Sequence, residues 1–150
     1  MTSRIAFARA VLFVLAALAL APLTARAEVP VHIRIIKGSR NGPAKMDDSL
    51  LVLKKQLSSL AYVRWTQESD EKRTMSKGKI EFFKLPDGDD VSLQLRDEAP
   101  DKVTFEVTLL ARKTHNKLTV ERGQRIVHQV SGEKDGSAFF LTVIVWPDAR

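Results

Sequence analysis

Apolar and polar residues alternate along much of this chain. Val29, Val31, Ile33 and Ile35 fall on one side of residues 29–37, with His32, Arg34 and Ile36 on the other. Apolarity of period two predicts a half-buried strand. Gly38-Ser39-Arg40-Asn41-Gly42-Pro43 follows with turn chemistry. The period then changes. Leu50, Leu53, Leu57 and Leu60 recur at spacings of three, four and three, with Met46 on the same side and Lys54, Lys55, Ser58 and Ser59 opposite. One apolar stripe predicts an amphipathic helix lying on a surface, capped by Asp47 or Asp48 and ending near Leu60. Residues 61–67 return to β-forming types, with Ala61, Val63 and Trp65 alternating with Tyr62, Arg64 and Thr66. Strand, helix and strand would make a right-handed βαβ crossover. The charged run from Glu68 to Arg73 is expected to be a solvated turn.

Beyond Met75 the pattern predicts only strands, over residues 79–85, 91–96, 102–113, 117–121, 125–130 and 138–146, joined by short polar turns. Such connections favour antiparallel neighbours. Phe82-Phe83 interrupts the alternation of its strand, which predicts a bulge. The last strand is apolar on both faces. Phe139, Leu141, Val143 and Val145 line one, and Phe140, Ile144 and Trp146 the other. A strand of that kind is covered on both sides. The expected fold class is α+β: β-rich, one amphipathic helix packed on a twisted, mostly antiparallel sheet, β-α-β and then a β-meander, curling toward a partial sandwich.

The first residues have a different character. Arg4 and Arg9 precede an apolar run from Ala10 to Ala21, Pro22 ends it, and Ala25-Arg26-Ala27 gives a small-x-small cleavage pattern. Residues 1–27 are expected to be a cleavable secretory signal peptide, cut between Ala27 and Glu28. The run is shorter than the roughly 20 residues of a bilayer span. The body, 28–150, is then expected to be a single domain, exported to the periplasm or the medium, without membrane insertion after cleavage.

Charge changes accordingly. The whole chain carries +6; Arg4, Arg9 and Arg26 leave with the leader, and 21 basic residues remain against 18 acidic ones. The remaining charges are interleaved rather than gathered in a basic stripe, which argues against nucleic acid. Cysteine is absent from the chain. That removes disulfides, thiol catalysis, thiolate-bound metals and lipidation at a leading cysteine.

Candidate chemistry is sparse. Residues 38–45 lie between a strand and a helix, where a phosphate-binding loop would sit, but the second glycine is one position early and Met46 replaces the hydroxyl that holds magnesium. Asp47 and Asp48 would also repel an anion at that helix start. His32, His115 and His128 show no metal-ligand spacing. Asp87-Gly88-Asp89-Asp90 is shorter than a calcium loop and suits a hairpin turn. No nucleophile motif accompanies a serine. No cofactor or metal is expected.

Three functions follow as expectations. The first is a non-catalytic protein-interaction module, an accessory component of an envelope assembly. Its support is the set of apolar residues out of phase with the core: Ile36, Tyr62, Phe83, Leu110, Phe140, Ile144 and Trp146. The second is a small-molecule or polysaccharide binder using the 38–45 loop with Arg34, Arg40, Tyr62 and Trp65. The third is a hydrolase built on Glu81, Glu106 and Glu121. Partner identity and oligomeric state are not encoded in any motif.

Overall fold

The structure, a computed structural model, describes residues 27–147. Apart from Ala27, the expected leader lies outside the described residues. The described residues are β-rich, with nine strands and little helix. These are β1 (Glu28–Ser39), β2 (Lys45–Met46), β3 (Arg64–Ser76), β4 (Ile80–Lys84), β5 (Asp90–Glu98), β6 (Lys102–Leu109), β7 (Thr114–Glu121), β8 (Arg125–Gln129) and β9 (Ser137–Val145). A 3-10 segment, Asp48–Leu53, runs into a single α turn, α1 (Lys54–Leu57).

The strands form two sheets. One has the order β2-β3-β1-β9-β8 and the other β4-β5-β6-β7. Their inner faces share one core. Val29, Val31, Ile33 and Ile35 of β1 and Leu141, Val143 and Val145 of β9 meet Leu93 and Leu95 of β5 and Val103, Phe105 and Val107 of β6. Alternation makes this possible, because inward residues at every second position leave the other face free. The second face of the five-stranded sheet carries a smaller core. There Ile36, Trp65, Ala138 and Phe140 lie under Leu50, Leu53 and Leu57. The molecule thus has three layers, a helical cover and two sheets, and β9 is apolar on both faces because it is the middle layer.

Several expectations change. The expected crossover from β1 through the helix to the next long strand does not form: β1 and β3 pair antiparallel, from Glu28↔Ser76 to Ser39↔Arg64, and only the two-residue β2 lies parallel to β3 across the helical segment. Residues 40–63 are an excursion within a long hairpin, and the helical cover belongs to that excursion. The expected helix to Leu60 is a 3-10 segment followed by one α turn. Its stripe survives the change. Leu50 to Leu53 is a step of three, suiting a 3-10 turn, and Leu53 to Leu57 is a step of four, suiting an α turn. The charged run Glu68 to Arg73 is strand rather than turn, within β3. Ala61 and Val63 precede that strand and are exposed. Residues 114–116 belong to β7, and the turn before it is Leu110–Arg112 with Lys113 in the left-handed region (φ 52°). Phe82-Phe83 makes no bulge, since β4 pairs with β5 in unbroken register. Register shifts fall instead between Ile35 and Ile36 and between Leu95 and Asp97.

Gly38 is required by packing. A Cβ there would lie 2.8 Å from Trp65 Cζ3 and 3.0 Å from Tyr62 Cγ. Asp135 and Gly136, with φ of 53° and 74°, make the two-residue turn closed by Lys134 and Ser137. Both central residues in the left-handed region suit the right-handed twist of a hairpin. No helix among the described residues is long and apolar enough to cross a membrane.

Candidate functional site

The helical cover divides its own apolar residues. Leu50, Leu53 and Leu57 point down and are buried, while Leu51 and Val52 are 52% and 59% exposed. Val52 lines a groove of about 280 Å³ with Lys55, Gln56, Gly123, Gln124 and Arg125, between the cover and the start of β8. Trp146 lies just past the end of β9, next to the strand residue to which the groove's Gly123 is hydrogen-bonded. It is 40% exposed, and Gly123 N beside it donates to Val145 O at 2.8 Å. Lys54, Lys55 and Arg125 are exposed and form no ion pair with a described residue. The margin beside Val52 is therefore basic, while exposed Asp48 lies one 3-10 turn before Leu51.

A polar cluster anchors the cover next to that patch. Asp70 of β3 takes a hydrogen bond from His32 through Oδ1, and its Oδ2 lies 3.3 Å from Arg34 Nε. Arg34 Nη1 donates to Ser49 O at 2.9 Å. The His32 ring stacks on Trp146 with centroids 6.4 Å apart and planes 17° apart. Arg34 thus ties β1 and β3 to the 3-10 segment, and His32 supports one side of the indole.

The other residues singled out from sequence fall in three places. Arg40 and Tyr62 converge on Glu133. Arg40 Nε donates to Oε1 and Oε2 at 3.1 and 2.9 Å, Tyr62 Oη donates to Oε2 at 2.9 Å, and the guanidinium sits 5.0 Å from the Tyr62 ring centroid. The hydrogen bond from Arg40 leads in holding the Glu133 carboxyl below the ordinary range, and Glu133 raises Arg40 in return. Burial, then the bond to Glu133, raises Tyr62. Arg40 N also donates to Gly136 O at 2.8 Å, so the 38–45 loop is fastened to the β8–β9 connection. Trp65 and Phe140 are buried in an edge-on aromatic cluster with Tyr62. Ile144 is buried under Leu53 and Phe83 is in the sandwich core. Of the out-of-phase set, Leu110 and Trp146 are the exposed large apolar members.

The three candidate carboxylates do not converge. Glu81 lies toward the inner side at the β4 edge, paired with Arg73 and, at 2.9 Å, with Lys79. Glu106 is on the outer face of the same sheet, 2.8 Å from Arg96. Glu121 pairs across from Lys102, four positions along β7 from the Lys117 that faces Glu106, about 13 Å by strand rise. A cleft of about 190 Å³ opens at one end of the sandwich, where Asp87, Asp89 and Asp90 face Arg112 and Lys134. No group of three metal-ligating side chains occurs among the described residues. His128 lies on β8 with Nε2 buried and without a hydrogen-bond partner, and burial lowers its pKa.

Geometry thus defines two packed sheets with a helical cover that leaves Leu51, Val52 and Trp146 exposed. No family model matches the chain, and comparisons with curated proteins and solved structures find no match. The patch residues Leu51, Val52, Lys55 and Arg125 escaped the sequence reading. Their signal is the run Leu50-Leu51-Val52-Leu53, which is apolar over more of the helical circumference than one buried stripe requires.

Proposed function

We propose that this chain works outside the cytoplasm as a non-catalytic protein-interaction module, an accessory part of an envelope assembly, and that it holds its partner at Leu51, Val52 and Trp146. One observation carries this. These three side chains stay exposed although Leu53 and Ile144 beside them are buried, and Lys54, Lys55 and Arg125 near Val52 form no ion pair with a described residue. An apolar centre with a charged rim is the anatomy of a protein interface. The partner surface should then be apolar with an acidic margin. The leader pattern of residues 1–27 supports the compartment.

Capture from the envelope fraction of the producing cell tests it. The unmodified protein should retain a defined partner, and Val52→Asp or Trp146→Ser should weaken that retention about tenfold or more. Val52→Asp should leave the thermal midpoint unchanged, and Trp146→Ser should lower it only by the loss of the indole's packing on His32. Equal retention by all three proteins would remove the patch from function.

A further inference from the structure

The free edges of the two sheets are protected unequally. The β3 edge carries Glu68, Asp70, Glu71, Lys72 and Arg73, and the β7 edge carries Lys117 and Glu121 on its outer face. Charges of this kind discourage edge-to-edge pairing. The β8 edge is short, and the Gln56 side-chain amide donates to Arg125 O there at 2.8 Å.

β4 carries Glu81 and Lys84 and is as short as β8, but alone of the four it sets large exposed apolar side chains beside its open backbone. Leu85 N donates to Asp89 O at 2.8 Å and Leu95 N to Lys79 O at 3.4 Å. The odd-numbered residues therefore face β5, and the N–H and C=O groups of Ile80, Phe82 and Lys84 point to the open edge. On the same strand Phe82 is 60% and Ile80 47% exposed. An unsatisfied backbone row beside two large apolar side chains is a template for another strand.

Charge selects which strand. Lys77 and Lys79 precede β4, and Asp87, Asp89 and Asp90 follow it. Antiparallel pairing of β4 with the β4 of a second copy, centred on Phe82, sets the basic end of each chain against the acidic end of the other. Within the strand Ile80 of each copy packs beside Lys84 of the other, and the turn holding Lys77 comes near the partner's turn holding Asp87. Parallel pairing would set like charges together. We infer that two copies of this chain associate through β4 about a two-fold axis, joining two four-stranded sheets into one of eight strands. This surface is separate from the Val52 and Trp146 patch and does not depend on it.

Sedimentation equilibrium over micromolar to millimolar concentrations tests the pairing, together with amide exchange read at single residues. The unmodified protein should dimerise, more weakly as salt rises, and the amides of Ile80, Phe82 and Lys84 should gain protection as the dimer forms. Phe82→Lys should give a monomer with an unchanged secondary-structure spectrum. Lys77→Asp or Asp87→Lys alone should weaken the dimer, and the two together should restore it. A protein monomeric throughout that range would overturn the inference. So would a dimer whose three edge amides exchange freely, or one that Val52→Asp abolishes.

Discussion

At the scale of single residues, close approach decides what is tolerated. Gly38 faces a buried indole that cannot move aside, so Gly38→Ala should cost about 1–3 kcal/mol in urea unfolding, the range for overfilling a packed site. Gly132 is a useful contrast. A Cβ there would meet Arg112 Nη2 at 1.9 Å, but that guanidinium ends an exposed, flexible side chain, and Gly132→Ala should cost little. His128 introduces pH. Its Nε2 is buried without a partner, and burial lowers its pKa in the folded state. Well above about pH 6.5, the ordinary histidine value, the ring is neutral in both states. As pH falls further the unfolded chain binds the proton first, so stability declines toward the folded-state pKa and then levels, with a slope of at most about 1.4 kcal/mol per pH unit. His128→Leu should remove that part of the acid sensitivity between pH 7 and pH 5. Equal pH dependence in both proteins would mean that the ring is solvated.

At the scale of elements, the helical cover has a buried apolar face and an exposed one. Leu53 is buried over Ile144, and Leu53→Ala should cost about 2–5 kcal/mol, as for other buried leucines. Val52→Asp, one residue away, should leave unfolding unchanged. The sequence read the cover's buried face correctly through Leu50, Leu53 and Leu57, because a stripe reports burial in either kind of helix. It overestimated the α-helix because the same spacings also describe a 3-10 turn passing into an α turn. β3 was legible at Trp65 and lost from Glu68 onward. Along an edge strand, charges stand where apolar residues would mark a central one, and they resemble a turn. The β6–β7 turn was misplaced because Lys113, rather than a glycine or asparagine, takes the left-handed position.

At the scale of the molecule, the doubly apolar β9 was recognised from Phe139 to Trp146, but sequence alone left two explanations open. The cover could come from the same chain or from a partner. Burial resolves this residue by residue: Phe140 and Ile144 are covered internally, and Trp146 is left at the margin. The candidate site was legible only at Trp146, because exposure of Leu51 and Val52 depends on how a short 3-10 segment rolls over the sheet. Arg40 and Tyr62 were grouped correctly in space, while their common partner Glu133 lies some seventy residues or more away in sequence. The central claim is that both faces of β9 are closed by this chain alone. Native-state amide exchange on the isolated protein tests it most directly. The β1 and β9 amides should exchange only through global unfolding, as the slowest in the molecule. Fast exchange in β9, slowed only on adding a partner, would contradict it.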